Sequence, residues 1–164
     1  MISIRKLTMG DVNTMFSYSS TDENTHYMLT SPFLTIDDTQ EFLSKCIAEY
    51  ESEHPRYLSF AVVYNSVHVG EVFASISEKE ADIGWIIDKD YWGKGIATSG
   101  AKMFIEYLKR EYGVDYFVAY CDARNIASKR VMEKIGMRYA GINGIRNYDK
   151  EVSPGKELKF EMNL

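Results

Sequence analysis

Asp82-Ile83-Gly84-Trp85-Ile86-Ile87-Asp88-Lys89-Asp90-Tyr91-Trp92-Gly93-Lys94-Gly95-Ile96-Ala97-Thr98 reads as a strand, a short loop containing two glycines, and the first turn of a helix. Ala81, Ile83, Trp85 and Ile87 recur with period two, the pattern of a strand. Gly93 and Gly95 let the backbone approach a ligand closely with its N–H groups exposed. The helix that follows points its positive end at the same spot, so a phosphate or pyrophosphate would be held there largely by main chain.

The next segments extend the pattern. From Gly95 to Glu111 a helix places Ala97, Ala101, Phe104 and Leu108 on one face, and the small residues Ala97, Gly100 and Ala101 let its start lie close to a sheet. Tyr116 to Cys121 is a continuous apolar run with the length of a strand buried on both faces. Asn125 is a good N-cap for a further helix, and Gly136 a natural stop for it.

Trp92-Gly93-Lys94-Gly95-Ile96-Ala97 resembles the acyl-CoA pyrophosphate loop of the GNAT N-acetyltransferases, whose pattern is Gln/Arg-x-x-Gly-x-Gly/Ala. Trp92 stands where that pattern has Gln or Arg. Tyr91-Trp92-Gly93-Lys94-Gly95 is similar to the Rim-type branch, named for the ribosomal-protein N-terminal acetyltransferases. Asn125 to Met137 is similar to the family's Asn-x-x-Ser/Ala…Glu-Lys-x-Gly-Phe/Met segment. The resemblance implies an α+β fold in which the strands Ala81 to Ile87 and Tyr116 to Cys121 run parallel and splay apart. It further implies that acetyl-CoA lies in the opening as co-substrate. Its pantetheine would pair with backbone near Gly84, Ile86 and Ile87, its pyrophosphate would sit on Trp92 to Thr98, and Asn125 and Ser128 would contact it.

The remaining chain fits the same plan. Ile2 to Leu7 alternates as a strand, Asp11 is placed to cap a helix through about Ser19, and Asn24 to Pro32 is loop-like. A helix starts at Thr35 or Asp37, carries Phe42, Leu43, Cys46, Ile47 and Tyr50 on one face, and ends near His54-Pro55. Tyr57 to Tyr64 and His68 to Ser77 form a hairpin about Asn65-Ser66. Arg138 to Asn147 and Lys156 to Met162 form a closing pair.

Bulk properties bound the function. The 164 residues are expected to form one domain, 1–164. No apolar run approaches the roughly 18 residues of a membrane span, and no signal-peptide pattern opens the chain. A net charge of −5 argues against general nucleic-acid affinity and suits cationic acceptors. Cys46 and Cys121 read as core residues in a reducing cytoplasm, and the three histidines, His26, His54 and His68, lack metal-ligand spacing, so no metal is expected.

Acetyl transfer to an amine needs a bound thioester, a neutral amine in line with its carbonyl, stabilisation of the oxyanion and a proton for the leaving thiolate. No covalent nucleophile stands out: neither cysteine has a nearby histidine, and there is no Gly-x-Ser-x-Gly elbow. Asp82 is the leading general-base candidate, at a position similar to the glutamate that serves in several GNAT branches; Glu71 on the preceding strand is the second. Ser128 matches the serine proposed as proton donor in Rim-type enzymes, and Met132 occupies the place of the tyrosine that many other GNATs use. The alternative readings are solvated strand acids for Asp82 and Glu71 and a backbone-bonding hydroxyl for Ser128. Tyr27, Phe33, Trp85 and Tyr148 are candidates to line the acceptor pocket.

The reading is an acetyl-CoA-dependent N-acetyltransferase acting on a primary amine: a protein N-terminus, a polyamine, an amino acid or an aminoglycoside-type drug. Its competitor is a non-catalytic acyl-CoA-binding module on the same fold, which turnover with any amine would exclude. A P-loop nucleotide enzyme is disfavoured because Gly93-Lys94-Gly95 lacks the Gly-x-x-x-x-Gly-Lys-Ser/Thr spacing. The closing strands leave an edge that a second copy could pair with, giving a homodimer.

Overall fold

The computed structural model describes residues 1–164. Strand β1 (Ile2–Lys6) pairs antiparallel with β2 (Tyr57–Tyr64), which continues through β3 (Val67–Ser77) into β4 (Glu80–Ile87) as an antiparallel meander. The β2–β3 turn falls at Asn65-Ser66, and both residues take positive φ, 48° and 70°. That left-handed pair matches the twist of the strands it joins. Strand β5 (Tyr116–Asp122) runs parallel to β4, and β7 (Gly155–Asn163) inserts between β5 and β6 (Arg138–Arg146). The seven strands therefore stand in the order β1-β2-β3-β4-β5-β7-β6. This is the α+β architecture that the resemblance implies.

Side-chain alternation along the strands loads both faces of the sheet. Phe60, Val62, Val72, Ile83 and Phe117 join Phe104 and Leu108 of α4 (Ile96–Tyr112) and Met132 of α5 (Ile126–Ile135) in the larger core. Ala61 and Ile86 face Met15 and Tyr18 of α1 (Val12–Ser19) and Leu43 and Cys46 of α3 (Ile36–Glu49) in the smaller one. A methyl group built on Gly100 would stand 3.1 Å from Val62 and 3.4 Å from Val72. The small residue is what brings the start of α4 down onto the sheet.

Three local expectations change. Asp11 does not cap α1: its carboxylate turns inward, accepts hydrogen bonds from Arg5 (2.7 and 2.8 Å) and from Thr8 N–H (2.8 Å), and is buried. Burial pushes that carboxyl up, but the Arg5 and Thr8 hydrogen bonds outweigh it and hold it at about 2. Helix α3 stops at Glu49, short of His54-Pro55, because the Tyr50 hydroxyl is drawn in to donate to Ser59 O and accept from Leu7 N–H. The segment read as loop from Asn24 begins inside a single helical turn, α2 (Asp22–Thr25).

The contact at Gly100 sets a graded expectation. Gly100→Ala should be near neutral, since about 1 kcal/mol of helix propensity offsets a contact that one valine methyl can yield to. Gly100→Leu should destabilise by about 1–3 kcal/mol through overpacking. Urea unfolding of the two variants checks both values.

Candidate active site

Strands β4 and β5 pair only at Glu80↔Tyr116, Ala81↔Phe117 and Asp82↔Val118. Past Asp82 they separate, while β4 stays laddered to β3 and β5 to β7 along their outer edges. The facing backbone edges thus lose each other as hydrogen-bond partners. A cleft of about 1390 Å³ opens there, walled by the strand ends, the starts of α4 and α5, residues 22–30, and parts of β6 and β7. That exceeds the roughly 300–1,000 Å³ of ordinary small-molecule pockets and leaves room for two reactants.

One wall of the cleft is an anion cradle. After β4 comes a single 3₁₀ turn, Lys89–Tyr91, then Trp92 and two glycines with φ of 76° and 73°, Gly93 and Gly95. The amides from Gly93 to Thr98 donate to no protein acceptor, and Gly95 supplies no capping side chain. A Cβ on either glycine would meet nothing within 4 Å, so the glycines are needed for their left-handed backbone and for a ligand's approach, not for packing. Trp92 donates its indole Nε1–H to Ile87 O at 2.6 Å, tying the loop to the end of β4, while its ring stays half exposed beside the cradle. Gly93, Gly95, Ile96, Ala97 and Thr98 all line the cleft, with Ile86 and Ile87 on the adjoining strand. The Lys94 side chain folds away to Asp90 O and over the Tyr91 ring, leaving that residue's backbone as its contribution.

The start of α5 forms the opposing wall. Asn125 Oδ1 accepts from Ser128 N at 3.1 Å, so the residue does cap the helix, but its amide NH₂ has no protein acceptor. The Ser128 hydroxyl bonds nothing in the protein, and Asn125, Ser128 and Met132 all line the cleft. The two readings of Asn125 are therefore compatible, one for each end of its amide. Ser128 is not consumed by the helix start.

The two acids part company. Asp82 stands at the fork on the cleft wall, with no hydrogen bond or ion pair. Solvent reaches it through the cleft, yet the surrounding wall desolvates it enough to raise its carboxyl to about 6, with the charge of Glu157 adding and that of Arg146 opposing. Glu71 faces the smaller core and is 4% exposed, outside the cleft lining, where it accepts from Ser59 Oγ at 2.6 Å. Burial pushes its carboxyl up to about 7, against the hydrogen bonds of Ser59 and Tyr18. The cysteines are buried and free; burial raises Cys46 to about 12 and Cys121 to about 11, so neither is a nucleophile at neutral pH.

Of the aromatic candidates, Tyr27 and Trp85 line the cleft, whereas Phe33 packs against Phe42 with ring centroids 5.5 Å apart. Tyr148 donates to Asp122 Oδ2 at 2.9 Å. That contact belongs to a latch the pattern reading missed. Buried Asp122 holds Arg124 through a bidentate pair (2.8 and 2.7 Å), Arg124 reaches Ser153, and its guanidinium lies 5.8 Å over the Tyr27 ring. Arg146 pairs with Glu157 at 2.6 Å and donates to Tyr27 O, and Lys150 donates to Thr25 O. A Cβ on Gly155 would stand 2.2 Å from Asp122 Oδ2, so the glycine after Pro154 was the sequence-level trace of this packing. No group of three or more His, Cys, Asp or Glu side chains is arranged to hold a metal ion, and no helix is long and apolar enough to cross a membrane.

Residues 2–138 match the family model described as the Acetyltransferase (GNAT) domain. The chain belongs to the GNAT acetyltransferase family. It is similar to the uncharacterized N-acetyltransferase YnaD of Bacillus subtilis (strain 168), 29% identical over 140 residues, which are 84% of this chain and 79% of that one. Among solved structures it is similar to Mycobacterium smegmatis RimJ in complex with CoA-disulfide, with a TM-score of 0.85, 18% identity, and 99% and 81% of the two chains covered. It is also similar to spermidine N-acetyltransferase from Vibrio cholerae in complex with CoA and spermine, with a TM-score of 0.85, 16% identity, and 99% and 95% covered. Family membership makes the protein an acetyl-transferring enzyme, with a Rim-type protein among its structural neighbours.

The buried acid carries a stability signature. Because the folded pKa of Glu71 is raised from 4.5 to about 7, the folded state binds the extra proton between these values, and stability falls as pH rises through that window. Glu71→Gln should remove about 2–3 kcal/mol of that decline and be the more stable protein at pH 8. Melting temperatures of both proteins from pH 5 to 8 check it, and parallel curves would count against a titrating Glu71.

Proposed function

We propose that residues 1–164 act as one acetyltransferase domain that moves acetyl from acetyl-CoA to a primary amine by direct attack in a ternary complex. The supporting observation is the fork: a parallel strand pair opening past Asp82 beside a row of amides at the start of α4 that have no protein acceptor. In this reading the pyrophosphate lies on Gly93 to Thr98, and the pantetheine replaces the missing ladder along Gly84 to Ile87. The Asn125 amide donates to the cofactor arm. Structural neighbours solved with CoA support the choice of donor.

In the reaction the amine nitrogen attacks the thioester carbonyl, the C–S bond breaks, and an N-acetyl amine and free CoA leave. Orientation supplies much of the acceleration, because two held reactants avoid the entropy of meeting. Asp82, ionised above about pH 6 and uncommitted to any cation, takes the amine's proton directly or through water. Ser128, with its hydroxyl free in the cleft, donates to the thiolate. Glu71 is assigned no step, since it does not reach the cleft. The acceptor is a cationic amine of the protein N-terminal, polyamine or small-molecule kind, drawn to the cleft carboxylates that form no ion pair, Asp82 at the fork and Asp22. The setting is cytoplasmic.

Gly95→Asp places a carboxylate in the cradle at a left-handed backbone position. It should weaken acetyl-CoA binding at least about tenfold, or about 1.4 kcal/mol, without unfolding the protein. Calorimetry on a variant with native circular dichroism checks this, and unchanged affinity removes the cradle as the site.

Steady-state kinetics across an amine panel test the chemistry. In the wild type kcat/KM should fall on the acid side near pH 6, where Asp82 protonates, as well as with protonation of the amine. Asp82→Asn should lose that limb, with a deficit that shrinks as pH approaches the amine's pKa. Ser128→Ala should lower kcat by about tenfold to a hundredfold at little cost in cofactor affinity. A pH-independent Asp82→Asn deficit, or wild-type turnover in Ser128→Ala, overturns the corresponding role.

A further inference from the structure

Beside Asp82 the cleft has an apolar floor. In the β2–β3–β4 ladder Tyr57 stands opposite Ser75 and Ser75 opposite Asp82, while Phe73 stands opposite Gly84, so these residues share one face of the sheet. It is the face covered by the smaller core, where Tyr57, Phe73 and Met28 pack at the margin, half-buried, and all three line the cleft. Gly84 gives the Phe73 ring its place: a Cβ there would stand 2.4 Å from Phe73 Cε2 and 2.7 Å from Cζ, so the ring occupies the space over β4 that a side chain would fill. Tyr57 lies nearly parallel to it, 28° apart with centroids at 6.2 Å, and Phe42 backs Tyr57 at 6.2 Å. Rings held this way lose little freedom when something settles on them.

The charges of the cleft stand around this floor and not on it. Asp82 is two residues along β4 from Gly84, roughly 7 Å at 3.4 Å per residue, and forms no ion pair. Asp22, the other cleft acid without an ion pair, is exposed on α2, where its charge acts on Lys150, itself held by Thr25 O and Thr30 O. Glu23 and Glu157 are paired with Lys89 and Arg146, and Arg124 with Asp122. Arg130 and Lys134 are exposed on α5, the opposing wall. Glu71, next to Phe73 on the same face, is outside the cleft lining and accepts from Ser59. A second ammonium on the floor would give up hydration with no carboxylate to replace it, whereas an apolar group leaves water there at no such cost.

We propose that the acceptor is a primary amine carrying an apolar, aromatic-sized group a few bonds from its nitrogen, read by Phe73, Tyr57 and Met28 while Asp82 faces the ammonium. The proposal rests on the acetyl-transfer reading and narrows its acceptor to one class. The step is unchanged: the N–C bond forms at the thioester carbonyl, the C–S bond breaks, Asp82 receives the amine's proton and the thiolate takes one from Ser128. A short arylalkyl amine spans the distance from the carboxylate to the Phe73 ring. So does the first residue of a peptide that begins with phenylalanine.

The test is thiol release from acetyl-CoA with two matched pairs of amines and with spermidine, each rate referred to the free-base concentration. The pairs are 2-phenylethylamine against ethylamine, and a tetrapeptide beginning with phenylalanine against one beginning with glycine. In the wild type kcat/KM should favour the aromatic member of at least one pair by about tenfold or more, and spermidine should fall below that member. A preference in the free pair identifies a small apolar amine, and one in the peptide pair a chain N-terminus. Phe73→Ala should bring the ratio within about threefold of one, and Phe73→Leu, which keeps an apolar side chain, should retain more of it. Loss of folded protein lowers both members of a pair alike, so the ratio reads the floor and not stability. Wild-type ratios near one in both pairs, spermidine ahead of every aromatic amine, or a preference undiminished in Phe73→Ala overturns the apolar floor and leaves acetyl transfer standing. No thiol release with any of these amines overturns both.

Discussion

Every part of the site hangs on the point where β4 and β5 stop pairing. A sheet that loses its ladder midway exposes backbone donors and acceptors, and an unanswered buried group costs about 1–3 kcal/mol. The fork persists because each strand is held from its far side, β4 by eight paired residues of β3 and β5 by seven of β7. Neither can swing over to close the gap without breaking a longer ladder. The open edges then face a cleft open to solvent, where water or a ligand's amides can satisfy them. The same constraint explains the insertion of β7 ahead of β6: β5 requires a partner on its outer edge if its inner edge is to stand free.

The loop after β4 inherits its position from that fork. Trp92 ties it to Ile87 O, Gly100 lets α4 settle on Val62 and Val72, and the free amides of the first helical turn are thereby aimed across the opening. At the other end of the cleft the work is done by charges that have already found partners. Asp122 is driven well below the usual carboxylate range, chiefly by the Arg124 hydrogen bonds, and the pair joins the start of α5 to Ser153 and Tyr27. Arg146 and Lys150 hold the backbone of residues 25–30 in the same manner.

The glycine loop and the Asn-capped helix were legible because they are local. A strand, a glycine loop, a helix start and an Asn-capped helix are each written in fewer than about twenty consecutive residues, and turn and cap chemistry is specific at that range. The β2–β3 hairpin followed from alternation and from Asn65-Ser66, whereas the parallel, splayed pairing of β4 and β5 came from the family resemblance and the place of β7 between β5 and β6 from neither. What pattern reading missed was long-range and polar. Asp11 looked like a cap because its local sequence allows one, but Arg5 and Thr8 compete for the carboxylate. Glu71 stood as the second candidate behind Asp82, since both are strand acids near the loop. Only packing shows that one faces Tyr18 and Ser59 while the other faces the cleft. The latch from Asp122 to Tyr148 spans a hairpin and a helix start, and Gly155 was its lone local mark.

The charges left over after these pairings divide the cleft. Arg124 and Arg146 line it, yet each is bound to a carboxylate and to backbone, so neither is free to neutralise a second anion. Asp82 has no cation paired to it at the fork, and its rise to about 6 comes chiefly from desolvation by the cleft wall, with Glu157 adding and Arg146 opposing. In the proposed reaction a cationic amine entering there relieves that cost and delivers its proton to Asp82.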